Sequence, residues 1–216
     1  MKRYFYVIFY FFVGVLIFYS MKVEAVLPLS GKVIIIDAGH GGVDPGTSYN
    51  NILEKDINLS ISKYLEEELS KNGASVILIR DGDYDLASPK SKHRKKSDFD
   101  NRIDIINNNN ANLYISIHLN YLSDSKYYGP QVFYDKSNET LASYIQTSMN
   151  KVLKGDRVIK KIPKDTYMYN KIKIDGVLIE CGFLSNGIER KNLIKEDYQK
   201  KIAYSIYLGI KDYFSN

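Results

Sequence analysis

Val33, Ile34, Ile35 and Ile36 form an unbroken apolar row that runs into Asp37 and then into a glycine-rich stretch, residues 39–46. A strand with one wet face alternates apolar and polar residues. An unbroken row belongs instead to a strand covered on both faces, as in a parallel sheet. The glycines then break the strand with a turn. A chain that opens its fold this way must supply amphipathic helices to cover the sheet.

It does so at regular intervals. Residues 56–71 carry Ile57, Ile61, Tyr64, Leu65 and Leu69 on one helical face, and Asn72-Gly73 offers the left-handed residue that closes a helix. Residues 75–79 read as the next strand, 98–110 as a second helix, 113–118 as a third strand and 131–134 as a shorter fourth. Residues 139–153 repeat the helical spacing through Leu141, Tyr144, Ile145 and Val152. A last buried strand is expected at 177–180, and a final helix at 200–214 with Ile202, Ile206 and Ile210 in line. This alternation predicts one α/β domain over residues 31–216, a mostly parallel twisted sheet flanked by helices. The length of 216 residues suits one domain, and no linker or repeat divides it. The single cysteine, Cys181, excludes an internal disulfide, so the core alone must hold the fold.

The N-terminus has a different character. Met1, Lys2 and Arg3 form a short positive end, followed at 4–19 by a 16-residue run without charge or proline. Val23-Glu24-Ala25 has the small-x-small form of a signal-peptide cleavage site. Residues 1–25 therefore read either as a cleaved signal peptide or, extended through Ser20 and Met21, as an uncleaved membrane anchor. Both readings export everything after residue 25. A buried core helix is the alternative, but the run has no polar face to turn outward.

The formal charge is +5, with a basic concentration at Lys90, Lys92, His93, Arg94, Lys95 and Lys96. No stacking aromatics interleave with it and no nucleic-acid motif accompanies it, so no nucleic-acid partner is expected. A solvated basic loop, or attraction to an anionic envelope, accounts for it.

In open α/β sheets ligands bind beyond the carboxyl ends of the strands. His40 follows the first predicted strand, His118 ends the third and Glu180 ends the last, while Glu54 falls in the loop expected before the first helix. Two neutral imidazoles and a carboxylate suit a catalytic zinc site, because they leave a coordination position open for water. A further carboxylate off the metal is then needed to move protons, and Glu180 is the candidate. Its place after Val177, Leu178 and Ile179 favours a desolvated site with a raised pKa. Spacing alone leaves open that each histidine is a satisfied structural residue. His93, in the basic loop, is a bystander. Cys181 reads as a buried thiol packing as a small hydrophobe, not as a nucleophile.

The surrounding residues are more specific. Ile36-Asp37-Ala38-Gly39-His40-Gly41-Gly42-Val43-Asp44-Pro45-Gly46 closely resembles the first zinc-ligand motif of the N-acetylmuramoyl-L-alanine amidases of the zinc amidase-3 type. Leu53-Glu54-Lys55-Asp56-Ile57-Asn58-Leu59 resembles the second motif, and Ser116-Ile117-His118-Leu119-Asn120 the third. Leu178-Ile179-Glu180-Cys181-Gly182-Phe183-Leu184-Ser185-Asn186, with Glu189 after it, resembles the fourth. Arg102 and Ala111-Asn112 fit the stretch before the third.

The resemblance spans residue 31 to the C-terminus. It implies one Zn2+ ion on His40, Glu54 and His118, Glu180 as the catalytic carboxylate, peptidoglycan as substrate, and an α/β fold. The bond cut would join the lactyl group of N-acetylmuramic acid to L-alanine of the stem peptide. An N-terminally anchored catalytic domain without binding repeats resembles the members that make the muramic lactam of spore cortex. With no inhibitory insert in view, control by an activating envelope protein is a further expectation. Asp37 or Asp44 is expected either to orient a ligand or, for Asp44-Pro45-Gly46, simply to form a turn. The rivals are a zinc carboxypeptidase or endopeptidase of the stem peptide, and a non-catalytic wall-binding protein that kept the fold.

Overall fold

The structure, a computed structural model, describes residues 4, 6, 10, 26–135, 138–164 and 166–216. The expected export segment, residues 1–25, lies outside the described residues apart from three isolated tyrosines. Among the described residues no helix is long and apolar enough to cross a membrane.

The apolar row becomes β1 (Val33–Ala38), the second strand of a six-stranded sheet. The others are β4 (Ser75–Leu78), β5 (Leu113–Asn120), β6 (Gln131–Tyr134), β7 (Lys160–Lys161) and β8 (Gly176–Phe183), in the order β4-β1-β5-β8-β6-β7. The β4, β1, β5 and β8 strands run parallel, and β6 turns antiparallel on β8. The far edge is closed by β7, two exposed lysines, which discourages further strand pairing.

Burial on both faces follows from the row itself. Ile34 and Ile36 pack toward α1 (Glu54–Lys71), α3 (Glu139–Leu153) and α5 (Glu196–Phe214), with Ile61, Leu65, Ile145, Met149, Ile202 and Ile206 in the same cluster. Ile35 faces the other way, into a smaller cluster with Ile103 and Ile106 of α2 (Arg94–Asn108) and with Met168, Tyr169 and Ile172. One helix and an irregular segment thus cover the second face. The predicted single α/β fold with a mostly parallel sheet is the one observed.

The boundaries differ in instructive ways. The first helix begins at Glu54, not 56, so Glu54 is its first residue and not part of a preceding loop. A hairpin of β2 (Ser48–Tyr49) and β3 (Ile52–Leu53), too short to show a period in the sequence, delivers it. The Glu54 and Lys55 N–H groups donate to Thr47 and Pro45 carbonyls, which fixes the entry. The basic run divides at a boundary: Lys90, Lys92 and His93 lie in the exposed loop as expected, while Arg94, Lys95 and Lys96 form the first turn of α2, where Arg94 pairs with Asp85 and Lys96 with Asp100. The final helix starts at Glu196, where Glu196 and Asp197 complement the positive end of the helix dipole. A short helix missed in the sequence, α4 (Gly187–Leu193), is capped by Asn186 Oδ1, which accepts from the Ile188 and Glu189 N–H groups.

Candidate active site

The parallel strands bring β1, β5 and β8 side by side, so their carboxyl ends share one edge. His118 and Glu180 are direct register partners on β5 and β8. His40 follows β1 by two residues, with a left-handed backbone at φ 63°. Glu54 reaches the same point from the first turn of α1. The hairpin before it is anchored to α4: the Arg190 guanidinium lies 3.5 Å from the Tyr49 ring centre, and its Nη1 donates to the Leu184 carbonyl.

His40, Glu54 and His118 each offer one ligand atom, and these atoms lie within 4.8 Å of one another. Glu54 Oε1 stands 3.2 Å from His40 Nε2 and 3.0 Å from His118 Nδ1. The carboxylate is held from its other sides. The Leu119 N–H donates to Oε1 at 3.0 Å and the Thr47 N–H to Oε2 at 2.8 Å. Asn58 Nδ2, 3.3 Å from Oε1, adds a third donor. Burial alone would raise the Glu54 pKa, but the two histidines bonded to it outweigh that and hold it far below the carboxylate range.

Of the two aspartates expected near the ligands, Asp44 is the one that orients His40. Its Oδ2 lies 3.0 Å from His40 Nδ1, on the ring nitrogen opposite Glu54. Its Oδ1 accepts from the Gly46 N–H, so the turn is present as well. Burial lowers the His40 pKa, yet Glu54 and Asp44 together more than offset it and leave it raised. Asp37 is turned away, onto Arg102 and Ser116.

Two glycines make the closeness physically allowed. A Cβ on Gly39 would lie 2.3 Å from Cε1 and Nε2 of His118. A Cβ on Gly46, at φ +66°, would lie 2.6 Å from Glu54 Oε2 and from the His40 ring. Any larger residue at either place displaces a ligand.

The donor set itself fits a metal ion. Imidazole nitrogens and a carboxylate oxygen converge, and a second carboxylate sits behind one imidazole. Glu180 lies beside this set on the neighbouring strand. Its Oε2 is sealed from solvent and meets no hydrogen-bond partner among the described residues, an exception that calls for a role. Burial pushes its carboxyl up to about 7, with the His118 imidazole pulling the other way. A cavity of about 280 Å³ opens on His40, His118 and Glu180 and is walled by Phe99, Tyr167, Met168 and Leu178. A larger groove of about 870 Å³ between α3 and α5 holds no histidine or cysteine and lies on a different face. Cys181 is fully buried, as a packing thiol should be.

The tyrosine-rich wall at 167–169 carried no sequence signal, since it meets the histidines across a long separation, and the Asn58–Glu54 bond, an i,i+4 pair, follows only once the helix starts at Glu54. His93 is exposed and outside the cluster.

The sequence profile described as N-acetylmuramoyl-L-alanine amidase matches residues 34–212. The germination-specific N-acetylmuramoyl-L-alanine amidase of Bacillus subtilis (strain 168) is 42% identical over 195 residues, 88% of this chain and 82% of that protein. The CwlD amidase of Clostridioides difficile, solved in complex with the GerS lipoprotein, superimposes with a TM-score of 0.81 at 43% identity, covering 85% of this chain and 98% of its own. An N-acetylmuramoyl-L-alanine amidase from Clostridium difficile 630 gives 0.75 at 30% identity, covering 86% and 97%.

Proposed function

The chain belongs to the N-acetylmuramoyl-L-alanine amidase family, and from that premise we propose that it cuts the muramoyl–L-alanine amide of peptidoglycan with zinc on His40, Glu54 and His118 and with Glu180 as proton carrier. The observation that carries this reading is that Glu180, with its Oε2 sealed from solvent, lines the same cavity as His40 and His118.

When bound, zinc supplies the Lewis acidity that acidifies the attacking water and polarises the scissile carbonyl. The chain does the rest. Asp44 fixes the orientation of the His40 ring, and Thr47, Leu119 and Asn58 fix that of Glu54. Glu180, with a carboxyl that titrates near neutrality, takes a proton from the attacking water and returns it to the departing L-alanine amine. Phe99, Met168 and Leu178 keep bulk water from the cavity and strengthen the electrostatics inside it.

The biological setting is spore cortex, where removing the stem peptide leads to the muramic lactam. Its support is the likeness to the germination-specific enzyme and to CwlD. Residues 1–25 export the catalytic domain, 31–216, as a cleaved signal or an anchor; the supports are the positive end and the apolar run. An activating envelope lipoprotein is part of the same reading, and the GerS complex of the similar CwlD supports it.

Digestion of purified peptidoglycan tests the chemistry. Mass spectrometry should find free stem peptides beginning with L-alanine, lost on chelation and restored by Zn2+. Shortened stems still attached to glycan would replace the amidase with a peptidase. No release under any condition would leave a wall-binding protein.

A further inference from the structure

β1 ends at Ala38, yet its chain continues through three residues, Ala38, Gly39 and His40, whose carbonyls leave the sheet at the ligand. All three are taken by side chains. Ala38 O accepts from Arg80 Nε at 2.8 Å and from Arg102 Nη1 at 3.0 Å. Gly39 O accepts from Arg80 Nη2 at 3.0 Å and from Asn58 Nδ2 at 3.2 Å. His40 O accepts from Arg102 Nη2 at 2.7 Å. The two guanidiniums are the largest side chains in the fully buried set, 1% and 2% exposed.

Their surroundings differ. Arg102 is balanced by Asp37 and Asp98. Arg80 directs four of its five N–H donors at backbone carbonyls, two of them at Gly82 and Lys55. Lys55 is the residue after the ligand Glu54, so Arg80 ties the first ligand loop to the helix turn that carries the second. A buried arginine directed at carbonyls is costly: burial and the neighbouring Arg102 outweigh the attraction of Asp37, Asp83 and Asp56 and hold the Arg80 pKa below its usual value. Its planar fork is suited to fixing several acceptors at once in a way a lysine is not.

We propose that Arg80 and Arg102 are positioning residues that clamp the Ala38–His40 carbonyls and the Glu54 turn, so that His40 and Glu54 are preset for the metal before it arrives. The inference rests on the reading that His40, Glu54 and His118 hold zinc. The clamp holds His40 at φ 63°, a backbone region a side chain rarely adopts. A loop already ordered loses little freedom on binding, and that saving goes into affinity.

The test is the dissociation constant of Zn2+ alone, measured by competition with a chromophoric chelator, for the full chain and for Arg80→Lys, Arg102→Lys and His40→Ala. Circular dichroism confirms folding at the temperature used. Both lysine variants keep the charge but lose the fork, and the constant should rise at least tenfold in each, as removal of ligand-orienting groups does elsewhere. Arg94→Ala, an exposed residue paired with Asp85, should leave it unchanged. Lysine variants that fold and bind zinc like the parent overturn the clamp. A parent that binds no zinc, or a His40→Ala variant that binds it equally, overturns the metal reading instead. If a lysine variant does not fold, hydrogen exchange on the parent decides. The Gly39, Gly41 and Gly42 amides, bonded to Ile117 O, Asp44 O and Asp83 Oδ1, should be as protected in metal-free protein as with zinc. Protection that forms only with zinc overturns the proposal.

Discussion

Replacing Glu180 by glutamine should make the metal-free protein more stable while removing its activity. In the folded chain the Glu180 carboxyl titrates at about 7, raised first by burial, against 4.5 for an ordinary glutamate. A raised carboxylate pKa favours the protonated, folded form. The Glu180 contribution to the parent's stability is therefore fully present below pH 4.5 and is lost as pH rises through 7. The gap between the two values corresponds to about 3 kcal/mol once both states are ionised. Glutamine carries no charge to bury, so the variant escapes that loss. The measurement is thermal unfolding in excess chelator from pH 4 to pH 8, parent against Glu180→Gln. At pH 8 the variant should melt higher by roughly 6–12 °C, taking 2–4 °C per kcal/mol for a chain of this size. The difference should close by pH 4. Groups that do not act on Glu180, Glu189 among them, contribute to both proteins alike, and the repulsion between Glu54 and Glu180 is counted within the difference. Peptidoglycan hydrolysis by the zinc-loaded variant should fall by about 10²–10⁴-fold, with zinc content by atomic emission unchanged. Parallel melting curves across the whole pH range would refute the claim that Glu180 carries a buried, uncompensated charge.

Other expectations follow from the same geometry. Gly39→Ala places a methyl group on the His118 ring, so zinc content should drop well below stoichiometric while circular dichroism is retained. Asp44→Asn removes the carboxylate behind His40 and should weaken zinc binding by about 10–100-fold, read by chelator competition. Glu189→Ala strips acceptors from the buried Phe183 and Gly129 N–H groups, each 2.8 Å from its carboxylate. Leaving those donors unpaired should cost about 1–3 kcal/mol in chemical unfolding, with little effect on zinc affinity.

The functional meaning of the fold lies in the way a parallel sheet gathers distant residues. His118 and Glu180 are 62 positions apart in the chain, yet parallel pairing of β5 and β8 makes them neighbours. Nothing else in the sequence requires them to meet. The β2–β3 hairpin does the same for Glu54, which would otherwise begin its helix away from the strand ends.

By itself the sequence determined the sheet, its covering helices and the residue types at the strand ends. The row at 33–36 could be satisfied only by burial on both faces, and the helical spacing of Ile57, Ile61 and Leu65 only by packing on one side. Local periodicity encodes such facts, because each residue's burial is decided by the face it lies on. The tertiary structure alone decided which aspartate serves which partner. Asp37 and Asp44 flank His40 almost symmetrically in the chain, but the strand turns Asp37 inward onto Arg102 while the turn bends Asp44 back to the ring. It also decided that Arg80, 40 positions from His40, lies beneath the ligand loop, and that one oxygen of Glu180 is sealed without a partner. Hydrogen bonds between residues so far apart depend on how the layers pack, and no local pattern in the chain records that.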